Sequence, residues 1–558
     1  MSDELRLLTR YEPVIRYTAG ELFLPTHVDG FLARAALWRG GPAECLVPAG
    51  GLDAAMLAEC GERHRGEVLY LRYVERPLRG AAYRRWRKAQ AGNAIRPGDR
   101  FAAVGLAARL VDAALRLSLL LRGAVPGGTR AAAHVEYEGR ASPDVRPYYG
   151  RVSRDGGYLV LQYWFFYAMN DWRSTFGGVN DHEADWEQVT VFVTEDGGSP
   201  AWVVFSSHDK PGPQLRRRWD DPRLERVGDH PVVYAGAGSH AGAYAPGDYV
   251  TAVTWPWLEA VGRWWRSARR LVAPRSADGP GPGLGLPFLD YHRGDGPGIG
   301  PGERHAWTPV LVDDDTPWVR AYRGLWGLDT EDRFGGERAP AGPRYERDGS
   351  VRASWAYPVT WAGLDAEGPD PGTAADERLH EVVRLIQRYR GEIRRSSAGT
   401  RAMGRPTGTR ADPELQRLQA ERTALEDGPP PPAPAAPPER RLPSPAERVG
   451  RRRFLLLWSA ASASVVLGGA ALIVFSPPFG VFWSIVALLA VLVAVEAAAR
   501  ARLLRLLRRA FVTAAVLLAG WTVVETVARH WRLTVAALLA ASAVALWIGN
   551  LRAWLARR

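Results

Sequence analysis

The passage NDHEADWEQVTVFV, residues 180–193, runs from a polar loop into an alternating strand. Successive side chains of an extended chain point to opposite faces, so Asp185 and Glu187 project together while Trp186 and Gln188 project away from them. Two carboxylates therefore converge where the strand begins. The next extended run, AWVVFSSHD, follows a turn spanning Glu195 to Pro200. A hairpin centred between Gly197 and Gly198 places position 208 opposite position 187, bringing His208 beside Glu187. His240 closes the run PVVYAGAGSH, and His182 lies just before Asp185. The residues His182, Asp185, Glu187, His208 and His240 are thus candidate ligands of a divalent cation. Oxygen-dominated coordination suits Ca²⁺, Mg²⁺ or Mn²⁺, and imidazole-dominated coordination suits Zn²⁺. A second reading stays open, in which these groups only hydrogen-bond loops at a rim, with Asp185 capping backbone donors.

Outward from this passage, short β-rich runs separated by Gly, Pro and Asp recur at Tyr158–Tyr167, Glu187–Thr194, Ala201–Ser206 and Pro231–Ala237. The spacing predicts a mainly β domain, a sandwich or jelly roll, with its core over residues 131–370. Residues 1–130 form its N-terminal segment. Helical insertions are expected at Phe101–Arg122 and at the Trp- and Arg-rich stretch Trp255–Val272. The latter suits either packing on the sandwich or an anionic membrane surface. Apolar residues at helical spacing in Asp376–Arg395, and a shorter helix at Pro413–Leu425, give a stalk over residues 371–427. The proline-rich stretch that includes PPPPAPAAPP makes residues 428–450 an extended linker.

Residues 451–558 read as an α-helical transmembrane bundle. Four apolar stretches, Phe454–Phe475, Phe479–Ala499, Ala510–Val527 and Leu533–Asn550, each have the length needed to cross a hydrocarbon core of about 30 Å. Arginines gather before the first stretch, between the second and third, and at the chain end, which places residues 1–450 on the cytoplasmic side of an inner or plasma membrane. Arg529 and Arg532 in the third connection reduce this asymmetry without reversing it. Glu496 and Glu525 sit near span ends, within reach of headgroups.

Charge and composition narrow the function further. The tail from Arg451 holds 13 arginines against Glu496 and Glu525, so +11 of the formal +12 lies there and +1 is left for residues 1–450. A nucleic-acid partner loses its main electrostatic support. Two cysteines, Cys45 and Cys60, are too few for a disulfide framework. The N-terminus shows no apolar stretch of the secretory type. Phosphate-binding loops, dinucleotide fingerprints and nucleophile elbows are absent from the sequence.

Several ordered motifs carry a resemblance. YEPVIRYTAGELFLPTHVDGFL from Tyr11, LQYWFFYAMND from Leu161, HEADWEQVTV from His182, FSSHDKPG from Phe205, VVYAGAGSHAGAY from Val232, WVRAYRGLWG from Trp318 and GGERAPAGPRY from Gly335 resemble, in order, motifs of the vacuolar protein sorting-associated family numbered sixty-two. Activity in that family is largely unassigned. Ala184 and Gln188 depart from its H-x-G-D-W-E-H pattern. His182 with Asp185–Glu187 also resembles the G-H-R-H-D-W-E motif of necrosis-inducing cytolysins, which implies a cation site and recognition of glycosylated sphingolipids. The resulting expectation is a non-enzymatic, membrane-tethered binding module for a cation and a polar headgroup or glycan, in contact with the lipid bilayer and open to homo-oligomerisation. A metal-dependent hydrolase using the same residues, with Glu183 or Glu187 as base, is the first alternative. A pore gated by the β domain is the second.

Overall fold

The computed structural model describes residues 2–40, 43–90, 128–139, 146–172, 181–195, 198–207, 212–253, 286–328, 339–365, 381–387, 413–427, 452–476, 478–499 and 528–555, with scattered single positions between them. The chain divides into two compact units, Met1–Arg448 and Val449–Arg558.

The first unit is sheet-rich, and its centre is a six-stranded sheet in the order β16-β5-β6-β7-β8-β9. Its strands are β5 (Arg146–Asp155), β6 (Tyr158–Asn170), β7 (His182–Thr194), β8 (Pro200–Phe205), β9 (Arg216–Arg218) and β16 (Trp307–Leu311). All neighbours are antiparallel except β16 and β5. A second sheet runs β10-β11-β1-β15, with β12 also paired to β11. Here β1 is Val14–Arg16, β10 Arg226–Val227, β11 His230–Ala235, β12 Gly242–Ala243 and β15 Gly298–Ile299. Two smaller sheets complete the set: β3-β2-β4 (Glu44–Val47, Ala36–Arg39, Leu69–Arg72) and β13-β14 (Gly247–Val253, Leu286–His292).

The run YLVLQYWFFYAMN in β6 is apolar at nearly every position because both faces of this strand are buried. One face sends Tyr163, Phe165 and Tyr167, with Val189, Val191 and Val193 of β7, into a cluster with Leu8, Ile15, Val233, Ala235 and Ile299 from the N-terminal helix and the second sheet. The other face sends Trp164, Phe166 and Trp186 against Phe31, Leu37, Leu57, Trp318 and Trp326. Each such large apolar side chain contributes about 1.5–3 kcal/mol on burial, so β6 and β7 hold two layers together at once.

Pairing of β7 with β8 departs from the expected hairpin. Val189 faces Phe205 and Val191 faces Val203, with an irregularity between Phe192 and Val193. This register is one residue shorter than a symmetric turn gives, and it carries position 207, not 208, to a place opposite 187. His208 itself lies outside the described residues. So do most of the expected helix at Phe101–Arg122 and all of that at Trp255–Val272. The helix Pro413–Asp427 packs Leu418 and Leu425 against Val382 and Ile386.

In the second unit, Leu457–Phe475 and Val481–Ala499 are long and apolar enough to cross a membrane. They lie in helices Arg452–Phe475 and Val481–Ala499. The Trp458 indole donates to Glu496 Oε2 at 2.6 Å, and Gly469 lets Leu488 approach so closely that an added Cβ would lie 2.9 Å from it. Most of the apolar side chains stay exposed, Val474 and Phe475 among them. Of the four expected spans these two are described as such. The stretch 510–527 lies almost wholly outside the described residues, and helix Trp531–Leu555 holds a shorter apolar run, Leu539–Ile548.

Candidate functional site

The candidate site is built where β7 enters the six-stranded sheet. Asn170 and Tyr167 of β6 face His182 and Asp185 of β7 across the ladder. Between those two, Ala184 adopts φ 57°, a left-handed conformation that a side chain normally avoids. Asp185 stays on the side of β7 that Glu187 shares. Its Oδ2 accepts from Asn170 Nδ2 at 3.0 Å and from His240 Nδ1 at 2.9 Å, and its Oδ1 accepts from the Trp186 amide at 3.0 Å.

His240 arrives on the turn after β11 and also has a positive φ, 55°. The turn depends on Gly238, at φ 71°, where a Cβ would overlap the Asp171 carbonyl. The imidazole lies flat on Tyr167, with centroids 3.7 Å apart and planes within 4°. Tyr167 is held in turn by the Tyr17 hydroxyl at 2.9 Å. The His240 side chain is fully buried, its Nδ1 bonded to Asp185 and its Nε2 without a hydrogen-bond partner among the described residues. Glu21 Oε1 lies 3.9 Å from that nitrogen, its side chain also fully buried. Glu21 is fixed by three backbone donors: Leu22 at 2.8 Å, Phe23 at 3.2 Å and Gly238 at 2.8 Å. Asp171 adds another buried carboxylate, 3.6 Å from the Arg130 guanidinium.

These surroundings separate the two imidazoles electrostatically. Burial works against a charged His240, but the Asp185 hydrogen bond and the charges of Glu21 and Asp171 outweigh it, and its pKa is raised. For His182 burial prevails over Asp185 and the nearby carbonyls, and its pKa is lowered. Its Nδ1 sits 2.8 Å from the Ala184 carbonyl, which fixes the proton on Nδ1 and leaves Nε2 as the basic nitrogen. Next door, Glu183 turns to the other side and accepts from the amides of Tyr73 and Val74, both at 2.8 Å. Burial lifts its pKa to about 7 against those donors.

Of the five residues singled out in the sequence, Asp185 and His240 are in contact, and His182 stands near enough to both to feel their charge. Glu187 follows Asp185 on the same side of β7 and accepts a hydrogen bond from the Ser206 hydroxyl, while His208 lies outside the described residues. Glu21, Asn170 and Asp171 belong to the site and were not singled out. Glu21 stands in the opening motif YTAGELFLP, and Asn170–Asp171 end the aromatic strand that precedes the acidic passage. Among the described residues, no three His, Cys, Asp or Glu groups are already gathered as ligands of a metal.

No protein-family profile matches the chain, and no curated protein matches it. The vacuolar sorting-associated resemblance therefore gains no support. Among solved structures, weak and partial likenesses are to necrosis-inducing proteins. Necrosis and Ethylene inducing Protein 2 from the causal agent of cocoa's Witches Broom disease is 20% identical at a TM-score of 0.16, over 18% of this chain and 45% of that one. NLPPya in complex with glucosamine is 16% identical at 0.14, over 18% and 44%, and NLPPya in complex with mannosamine is 17% identical at 0.14, over 18% and 45%. The chain thus spans less than half the length of the solved structures it matches.

Proposed function

We propose that the chain is a membrane-tethered binding module whose buried acid–imidazole cluster takes a polar headgroup or glycan together with a divalent cation. The reading rests foremost on His240: a buried imidazole in a left-handed backbone conformation whose Nε2 has no hydrogen-bond partner among the described residues. Buried polar atoms are rarely left unmatched, and backbone strain of this kind gathers at ligand sites. The donor chemistry suits a cation, since the imidazoles of His240 and His182 and the carboxylates of Asp185 and Glu187 are all metal-ligand types, with His208 the remaining candidate. Entry of an ion requires the bond between Asp185 and His240 to open, because Asp185 Oδ2 is already shared by His240 and Asn170. A bound cation supplies a fixed positive centre for ligand oxygens. On this reading the two large sheets sharing the Tyr163–Val233 core form a β-sandwich, the apolar helices anchor it, and the arginine clusters keep it cytoplasmic.

The test is metal content. Full-length protein in an uncharged detergent, supplied in turn with Ca²⁺, Mg²⁺, Mn²⁺ and Zn²⁺ and then desalted, is measured by mass spectrometry beside Asp185→Ala and His240→Ala. Near-stoichiometric metal that both variants lose supports the site. Wild-type protein that retains none of the four ions sinks the cation.

A further inference from the structure

The helix Gly80–Ala89, GAAYRRWRKA, has two unlike sides. Trp86 points inward, its ring 5.4 Å from the Arg130 guanidinium and edge-on to His134 at 5.9 Å, with Tyr83 stacked on it at 6.0 Å. At 100° per residue Arg84, Arg85, Arg87 and Lys88 cover the side away from Trp86, and Arg79 stands at the N-cap. All five are exposed. The helix holds no acidic residue, and among the described residues none of the five has a carboxylate partner.

Like charges three and four apart repel, as Arg84 does with Arg87 and Lys88. Five cations that have no carboxylate partner among the described residues are also conspicuous in residues 1–450, whose formal charge is +1. An anionic surface opposite this side relieves the repulsion.

We propose that Arg79, Arg84, Arg85, Arg87 and Lys88 form a docking face for the anionic headgroups of the bilayer that holds the C-terminal apolar helices. Those helices keep such a surface within reach of the chain, and a headgroup layer asks only for clustered point charges. Single-stranded nucleic acid asks in addition for exposed aromatic platforms, and here Trp86 is turned into the fold. The face also lies two contacts from the candidate site: Trp86 touches Arg130, and Arg130 reaches Asp171. The inference uses the membrane tether of the proposed function but not its cation.

Lys88 and Lys210 are the only lysines, so amine labelling read by mass spectrometry isolates this face. Full-length protein is reconstituted into nanodiscs of phosphatidylcholine alone or with about a third phosphatidylserine. Recovery with the discs reports the tether, and the Lys88 to Lys210 labelling ratio reports docking. The ratio is expected to fall about tenfold in anionic discs at low salt and to recover at high salt. The combined variant Arg84→Glu, Arg85→Glu, Arg87→Glu should show no difference between disc types. Equal wild-type labelling in both discs at low salt overturns the proposal. So does equal or stronger protection of Lys88 by a DNA oligomer in neutral discs, which would give the face to nucleic acid.

Discussion

Single side chains set the character of the site, and Ala184 does so by its backbone. Its φ of 57° costs about 1–2 kcal/mol for a residue with a Cβ, whereas glycine adopts that conformation freely. Replacing Ala184 with Gly removes this strain at the expense of a buried methyl and a more flexible unfolded chain. The expected net gain is up to about 1 kcal/mol in thermal unfolding. A lower melting temperature would show that the methyl, buried beside Trp186 and Phe166, contributes more than the strain costs. In the sequence, alternation sets Asp185 with Glu187, and His240 joins them as a candidate only because it closes a nearby β run; the structure bonds it to Asp185. Glu21 and Asp171 are illegible in the sequence for a physical reason: each is a lone acid in its own segment, and only tertiary folding brings them to His240. Nothing local marks such residues.

Among elements, β7 connects the site to the three-stranded sheet through Glu183. Its carboxylate receives the amides of Tyr73 and Val74, just past β4, yet burial raises its pKa from 4.5 to about 7. A carboxyl raised in the folded state favours folding when protonated. Its stabilising contribution is complete below about 4.5 and lost as pH rises through about 7, a change of about 3 kcal/mol. Glu183→Gln should flatten that part of the stability curve in denaturant titrations between pH 4.5 and 8. At pH 5 it should also be less stable by about 1 kcal/mol, since an amide cannot accept both backbone donors. An unchanged slope would locate the pH dependence elsewhere, for instance at Glu12, also raised to about 7 by burial. The strands were readable from apolar runs and turn residues, but their registers were not. The turn centres one residue earlier than expected and the irregularity at Phe192–Val193 offsets only half of the resulting shift, so position 207 rather than 208 lies opposite Glu187, and a shift of one reverses every side chain.

For the whole molecule, the sheet-rich unit and the apolar helices make opposite demands on solvent. Leu457–Phe475 and Val481–Ala499 are long and apolar enough to cross a membrane, and many of their side chains are exposed. Full-length protein should stay in the membrane pellet after an alkaline carbonate wash, and deletion of residues 457–499 should shift a large part to the supernatant if these helices dominate anchoring. Complete release of the intact chain would contradict the tether. Composition and length made two long apolar helices legible, because hydropathy needs no tertiary context, whereas the partners of distant strands depend on packing that composition does not encode. The pairing of distant strands has one more outcome. β1 joins β11 and β15, and β5 joins β16, so the first unit cannot close until the ribosome has delivered Leu311. The apolar helices are synthesised only afterwards. Closure of the sheets and emergence of the apolar helices are thereby ordered in time, with the sheet-rich unit able to close before those helices leave the ribosome.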